Sequence, residues 1–189
     1  MEKRQSMVDA EPASPVLASD ASQMRILDAA DQLISQRGVH GVTIAELSRR
    51  AGVSRPTVYR AWSDADDVVR AALLRRIAGI LEGFPTPASS RDELAQDVVR
   101  FSALFRADEV FGRLLEEEPE TFTRYMLQRV GSSQRLILEW LAAAIRRAQA
   151  DGSVRTDDAG EMAVMLLLIA QSAILSHGTV SDLIDEAAW

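Results

Sequence analysis

Apolar residues recur at three- and four-residue steps along most of the chain, and no run alternates apolar with polar positions. This pattern predicts an all-α fold. Ile26, Leu27, Ala30, Leu33 and Ile34 trace the first stripe, which begins near Gln23 and ends at Gly38. After a turn over Gly38–Gly41, Thr43 stands as an N-cap with Glu46 three residues on, the spacing of a capping box. Ile44, Leu47 and Ala51 form the inner face of a second helix that Gly52 stops. Ser54 caps a third short helix through Trp62, with Pro56 in its first turn, where a missing N–H costs little. A fourth helix is expected from near Asp66 to about Leu81, its acidic start suiting the helix dipole. Gly83–Ser90 breaks the pattern. Periodicity returns over Arg91–Arg106 and Glu109–Glu117, then as one long helix from Pro119 to about Ala150, stopped by Asp151-Gly152. A further helix spans Asp157 to about Ser176, stopped by Gly178, and a short last one spans Ser181 to about Ala188.

Residues 1–22 hold Pro12, Pro15 and several serines without periodicity, and are expected to form a disordered N-terminal arm. The remaining chain divides into a compact head (23–64), a connecting helix (65–82) and a C-terminal helical domain (83–189). With 189 residues, 47% apolar and 26% charged, the composition is that of an ordinary globular protein and argues against wholesale disorder. The chain has no cysteine and only two histidines, His40 and His177, far apart in sequence. Disulfides, thiolate metal sites, a cysteine nucleophile and a His-rich metal cluster are therefore not expected, and no cofactor is called for. No apolar stretch follows Lys3 and Arg4 as in a secretory signal. The most apolar run, Met162–Leu175, is interrupted by Gln171 and Ser172 and falls short of the ~20 residues of a membrane span. A cytoplasmic protein without membrane partners is the expectation.

The overall charge of −7 disfavours nucleic acid, but its distribution reverses that reading. Residues 24–76 carry nine basic and six acidic groups, whereas residues 77–189 carry ten and eighteen. The basic segment contains TIAELSRRAGVSRPTVYRAW, Thr43 to Trp62, two short helices around Gly52-Val53-Ser54. Gly52 can adopt a left-handed conformation, Ser48 is small enough for close helix approach, and Leu47, Val53 and Val58 supply a shared core. This is the spacing of a helix-turn-helix whose second helix enters the major groove. Arg55, Thr57 and Arg60 project from that helix, and arginine can pair with guanine O6 and N7. Pro56 suits a thymine methyl, and the hydroxyls of Thr43, Ser54 and Tyr59 suit cap or phosphate contacts, with Arg49 and Arg50 adding charge. Two helices of a plain bundle with a solvated arginine face are the competing reading.

Residues 24–74 resemble the N-terminal DNA-binding domain of the tetracycline-repressor (TetR) family. The matching pieces are Ile26-Leu27-x-Ala29-Ala30, Leu33, Gly38, Thr43-Ile44, Ala51-Gly52-Val53-Ser54, Thr57-Val58-Tyr59 and Trp62, collinear and without gaps. The Ala150–Asp157 stretch also resembles the family's junction before its penultimate long helix. The resemblance implies a three-helix head, a connecting helix and a C-terminal domain for ligand binding and dimerisation. It further implies a homodimeric transcriptional regulator, usually a repressor, on a palindromic operator in double-stranded DNA. One position departs: family members commonly begin the fourth helix with a phosphate-contacting lysine, where this chain has Ala65 among Asp64, Asp66 and Asp67.

In the C-terminal domain, Phe101, Phe105, Phe111, Phe122, Tyr125, Met126, Trp140 and Met165 are candidate walls of a pocket for a small, partly apolar effector. Arg129 is a candidate polar anchor. Core packing is the plainer role for each apolar one of them. Met162, Leu166, Ile169, Ala173 and Leu175, on a helix apolar almost all round, are candidate dimer contacts. The acidic run Glu116–Glu120 is expected to face solvent, and His40 to be exposed. A regulator or architectural protein without a ligand, and a helical enzyme, remain alternatives; no phosphate-binding glycine motif or nucleophile–histidine pairing favours the latter.

Overall fold

The computed structural model describes residues 21–127 and 130–180, and among these every regular element is helical. The arm up to residue 20, the expected last helix Ser181–Ala188, Arg129, and the side chains of Tyr125 and Met126 lie outside the described residues. The elements are α1 (Ala21–Arg37), a short 3-10 turn (Val39–Gly41), α2 (Ile44–Ala51), α3 (Arg55–Tyr59) and α4 (Ala65–Glu82). There follow α5 (Arg91–Ala107), α6 (Glu109–Glu117), α7 (Pro119–Leu127), α8 (Ser132–Ala150) and α9 (Ala159–Val180).

The first stripe builds the head. Ile26, Leu27, Ala30, Leu33 and Ile34 are buried on one face of α1, against Leu47 and Val58 from α2 and α3 and Val68, Ala72 and Leu73 from α4. Helix α4 then continues out of the head and packs on α5 and α8. Helices α8 and α9 pack along each other, and Ile137, Leu141, Ala144 and Ile145 of α8 share one buried core with Ala163, Leu167 and Ile174 of α9. Phe84, in the loop before α5, is buried edge-on against Trp140 at 5.2 Å, with the Arg100 guanidinium over its ring at 4.8 Å.

Four expectations are corrected. The long helix from Pro119 to Ala150 is two helices. Gly131 takes extended backbone, its N–H is accepted by Gln134 Oε1 at 3.0 Å, and Gly131-Ser132-Ser133 are weak helix formers at the break. Helix α3 is shorter than read, although backbone bonds from Ala61 and Trp62 to Val58 carry the coil one turn further. Helix α9 starts two residues later than read, where Asp158 accepts the Glu161 N–H at 2.8 Å, and it runs through Gly178. A glycine with ordinary helical φ weakens a helix without ending it; the left-handed glycines are Gly38, Gly52 and Gly152. The added length makes α9 22 residues, so by length and composition Ala159–Thr179 does reach what a membrane-crossing helix needs.

Candidate nucleic-acid interface and effector cavity

Residues 43–62 form the expected helix-turn-helix. Thr43 caps α2, its Oγ1 accepting the Glu46 N–H at 3.2 Å. The reciprocal half of the capping box gives way to ion pairing. Glu46 turns its carboxylate to Arg49, at 2.5 Å, and to Arg37, at 3.3 Å. The hydrogen bond from Arg49 lowers the Glu46 pKa, and the same bond raises that of Arg49. Gly52 closes α2 at φ 64° and ψ 40°, and the Ser48 carbonyl accepts both the Gly52 and Val53 N–H groups. Ser54 caps α3, accepting the Thr57 N–H at 3.3 Å, and its hydroxyl lies 2.8 Å from that of Thr57. Val58 and Leu47 are wholly buried between the helices, as their spacing required.

The remaining residues of α3 face outward. Arg55, Pro56 and Arg60 are exposed, Thr57 is half-buried, and Tyr59 is 56% exposed with its ring in solvent. A helix of this length, held by Val58 and capped by Ser54, presents guanidinium and hydroxyl groups together with the Tyr59 ring and Pro56. Arg49 adds an exposed cation from α2, shared with Glu46. At the start of α4, Asp64 caps the helix by accepting the Asp67 N–H at 2.7 Å, and Arg70 pairs with both Asp67 and Asp64. The Arg70 hydrogen bond holds the Asp67 carboxyl below its ordinary range.

An apolar cavity of about 50 Å³ lies among α4, α5, α6, α7, α8 and α9. Four of the sequence-derived candidates, Phe101, Phe105, Phe122 and Trp140, line it together with Phe111. Met165 does not; it is 59% exposed, because the face of α9 that meets α8 is the one carrying Ala163, Leu167 and Ile174. Leu166, a candidate interface residue, is half-buried and lines the cavity, and Met162 is half-buried against the core. Ile169 is 64% exposed, beside Val164, Met165 and Leu168 on one outward apolar face, while Ala173 and Leu175 are half-buried. Periodicity could not separate these faces on a helix apolar all round.

Sequence reading missed the residues that join head to bundle. Arg75 binds Asp28 and Asp31 of α1; Arg76 bridges Asp31, at 3.2 Å, and Asp108, at 2.8 Å, which itself caps α6. Arg113 of α6 donates to the Ser35 carbonyl. Of the acidic run, Glu116, Glu117 and Glu120 are exposed as expected, and Glu118 is the exception. Its side chain is 19% exposed, with Oε1 accepting the Val39 N–H and Oε2 lying 3.7 Å from His40 Nε2. Pro119 starts a new helix and leaves Glu118 outside both α6 and α7, which frees its carboxylate to turn inward. His40 is exposed, as expected.

Comparison with known proteins agrees with this geometry. Residues 26–72 match the bacterial regulatory proteins of the tetR family. An uncharacterized HTH-type transcriptional regulator of Mycobacterium tuberculosis is 41% identical over 164 residues, covering 87% of this chain and 86% of that protein. The HTH-type transcriptional activator FasR of Mycolicibacterium smegmatis is 29% identical over 105 residues, covering 53% of this chain and 48% of that one. Among solved structures, the transcriptional regulator FadR from Bacillus subtilis in complex with stearoyl-CoA shares the fold. Its TM-score is 0.57 at 16% identity, over 86% of this chain and 90% of that chain. With the helix-turn-helix, the all-helical C-terminal part and these relatives in hand, the chain belongs to the TetR family of bacterial regulatory proteins and is a helix-turn-helix transcriptional regulator.

Proposed function

We propose that this regulator is a homodimeric repressor that holds a palindromic operator through α3 and lets go when a small, partly apolar ligand fills the cavity. The observation that carries the reading is Ile77. It lies on α4, the helix that begins in the head, and it forms part of the cavity wall. A ligand too large for the resting 50 Å³ must move part of the wall. Wherever α4 yields, the shift passes through Arg75 and Arg76 to α1 and so to the head. Such a ligand binds the shifted form more tightly than the resting one, the condition for any ligand to change an equilibrium.

In this reading residues 23–64 are the DNA-binding head, 65–82 the connecting helix and 83–189 the effector and dimerisation domain. Arg55 and Arg60 read base edges, Pro56 meets a thymine methyl, and Thr43, Arg49, Ser54, Thr57 and Tyr59 set the register on the backbone. The outward face of α9, with Val164, Met165, Leu168 and Ile169, supports pairing with a second copy. An isologous dimer matches a twofold operator.

The test is selection of bound duplexes from a random pool by the purified protein, followed by release from the recovered site with a ligand library. A palindrome bound by a dimer and released by a ligand that also raises the melting temperature is the expected result. A recovered site that no ligand releases would leave a regulator without an effector. A reporter driven from that site, rising on addition of the protein, would make it an activator.

A further inference from the structure

We propose that the ligand site has two chambers, and that its occupant is a small amphipathic molecule, with an apolar group for the inner chamber and an acidic group for the outer. The proposal rests on the ligand-release reading and names the kind of molecule which that reading requires.

The inner chamber is the apolar cavity of about 50 Å³. A second cavity, of about 410 Å³, lies where the head meets the bundle. Its walls include Val39 and His40 of the turn ahead of α2, Arg70 and Leu73 of α4, and Arg124 of α7. Phe122, Ser133 and Gln134 line both cavities, so one partition serves the two.

Size argues that the cavities work together. Small-molecule sites usually measure ~300–1,000 Å³, a range that the outer cavity reaches and the inner does not. A ligand group that enters the inner chamber must therefore widen it. Close-packed protein interiors resist such widening. Behind Phe122, Ser133 and Gln134, however, lies the outer cavity rather than packed side chains. This partition gives way at low cost, and its movement joins the chambers.

The chemistry of the walls sets the ligand's direction. No residue lining the inner chamber, among those described, carries a formal charge. An apolar group gains there by leaving water, whereas an ionised one loses its hydration without compensation. The outer wall carries two guanidinium groups, Arg70 and Arg124, and the His40 imidazole, against one carboxylate, Asp66. Arg70 is already shared with Asp67 and Asp64. Arg124 is exposed and has neither ion pair nor hydrogen bond among the described residues. An anion in the outer chamber gains this guanidinium without displacing a carboxylate. The same occupant meets Val39 and His40, and through their turn the head itself.

The test uses the dye anilinonaphthalene sulfonate, with phenylnaphthylamine as the same ring system lacking the acid. Both are titrated by fluorescence into the full-length protein. Ala170→Leu fills the inner chamber and Ser132→Trp the outer, since each residue lines one chamber only. Each change is expected to lower the sulfonate's affinity about tenfold. Phe122→Ala, which removes the largest side chain of the partition, is expected to raise it. Arg124→Gln is expected to lower the sulfonate-to-amine affinity ratio about tenfold, the scale of one charge-assisted hydrogen bond. Thermal melts followed by circular dichroism show that each variant is folded. An affinity that falls with only one filled chamber, or with neither, overturns the two-chamber site. A ratio unchanged in Arg124→Gln overturns the acidic class. Sulfonate that binds through both chambers and leaves operator DNA in place supports the site and overturns the release reading alone.

Discussion

The Glu118 carboxylate, between α6 and α7, accepts the backbone N–H of Val39 at 3.2 Å. It thereby fastens the C-terminal bundle to the turn that leads into α2 and, through it, into the recognition helix. The contact exists because residue 38 is glycine. A Cβ at Gly38 would sit 1.6 Å from Glu118 Oε1, and the backbone there, at φ 71° and ψ −179°, is a conformation that side-chain-bearing residues avoid.

Gly38→Ala is therefore expected to destabilise the protein by about 1–3 kcal/mol, the scale of one strained backbone position. Part of the loss should overlap with that of Glu118→Ala, since each removes the same tie. Denaturant melts of the two single variants and the double variant measure the overlap; strictly additive losses would mean that Glu118 and Gly38 act separately.

Arg76 joins α4 to Asp31 on α1 and Asp108 at the start of α6, all three side chains being half-buried. Arg76→Ala takes the arginine from Asp108 and one of two arginines from Asp31, which keeps Arg75, and is expected to cost about 1.5–3 kcal/mol. The same change should loosen the coupling between cavity and head, so that ligand releases DNA less effectively at equal ligand occupancy. Parallel ligand-binding and DNA-release titrations check it.

In α3, Arg60→Ala is expected to relax sequence preference at one operator position, while Tyr59→Phe weakens all sites about equally. Competition between specific and random duplexes separates the two effects. Ala65→Lys, at the first residue of α4, should raise affinity for every site and steepen the dependence on salt. Unchanged affinity would mean that Ala65 lies away from the phosphates.

Ile169→Glu places a charge on the outward face of α9 without touching the packed side. Sedimentation is expected to shift from dimer to monomer, with helical content by circular dichroism retained. A dimer of undiminished stability would move the interface elsewhere.

Asp67 gives the start of the connecting helix α4 a defined acid response. Its hydrogen bond from Arg70 lowers its pKa in the folded protein, so the folded state favours the ionised form. That stabilisation is complete above the ordinary carboxylate value, 3.8, and is lost as the pH falls below it towards the lowered folded value. Asp67→Asn should flatten the pH dependence of stability in this acid range, measured by thermal melts between pH 5 and pH 2.

The head was legible in the sequence because its determinants are local. A stripe at helical spacing, Thr43 and Ser54 as caps, and a left-handed Gly52 are short-range requirements that a few adjacent residues satisfy. The outward row of Arg55, Pro56 and Arg60 followed from the same spacing once Val58 was assigned to the core. The all-helical class and the aromatic residues of the cavity were legible for the same reason, as Phe101 and Phe105 lie four residues apart on one face of α5.

Which face of α9 meets what was decided only by packing. Its residues are apolar on every side, so periodicity carried no direction, and Leu166 turned to the cavity while Met165 turned to solvent. The ties between head and bundle were equally hidden. Arg76 and Asp31 are 45 residues apart, Glu118 and Val39 are 79 apart, and nothing local marks either pair. Short-range sequence settles where a helix begins and which side is oily; the partner of a charged or all-apolar surface is settled by the tertiary fold, which brings distant segments within hydrogen-bonding reach.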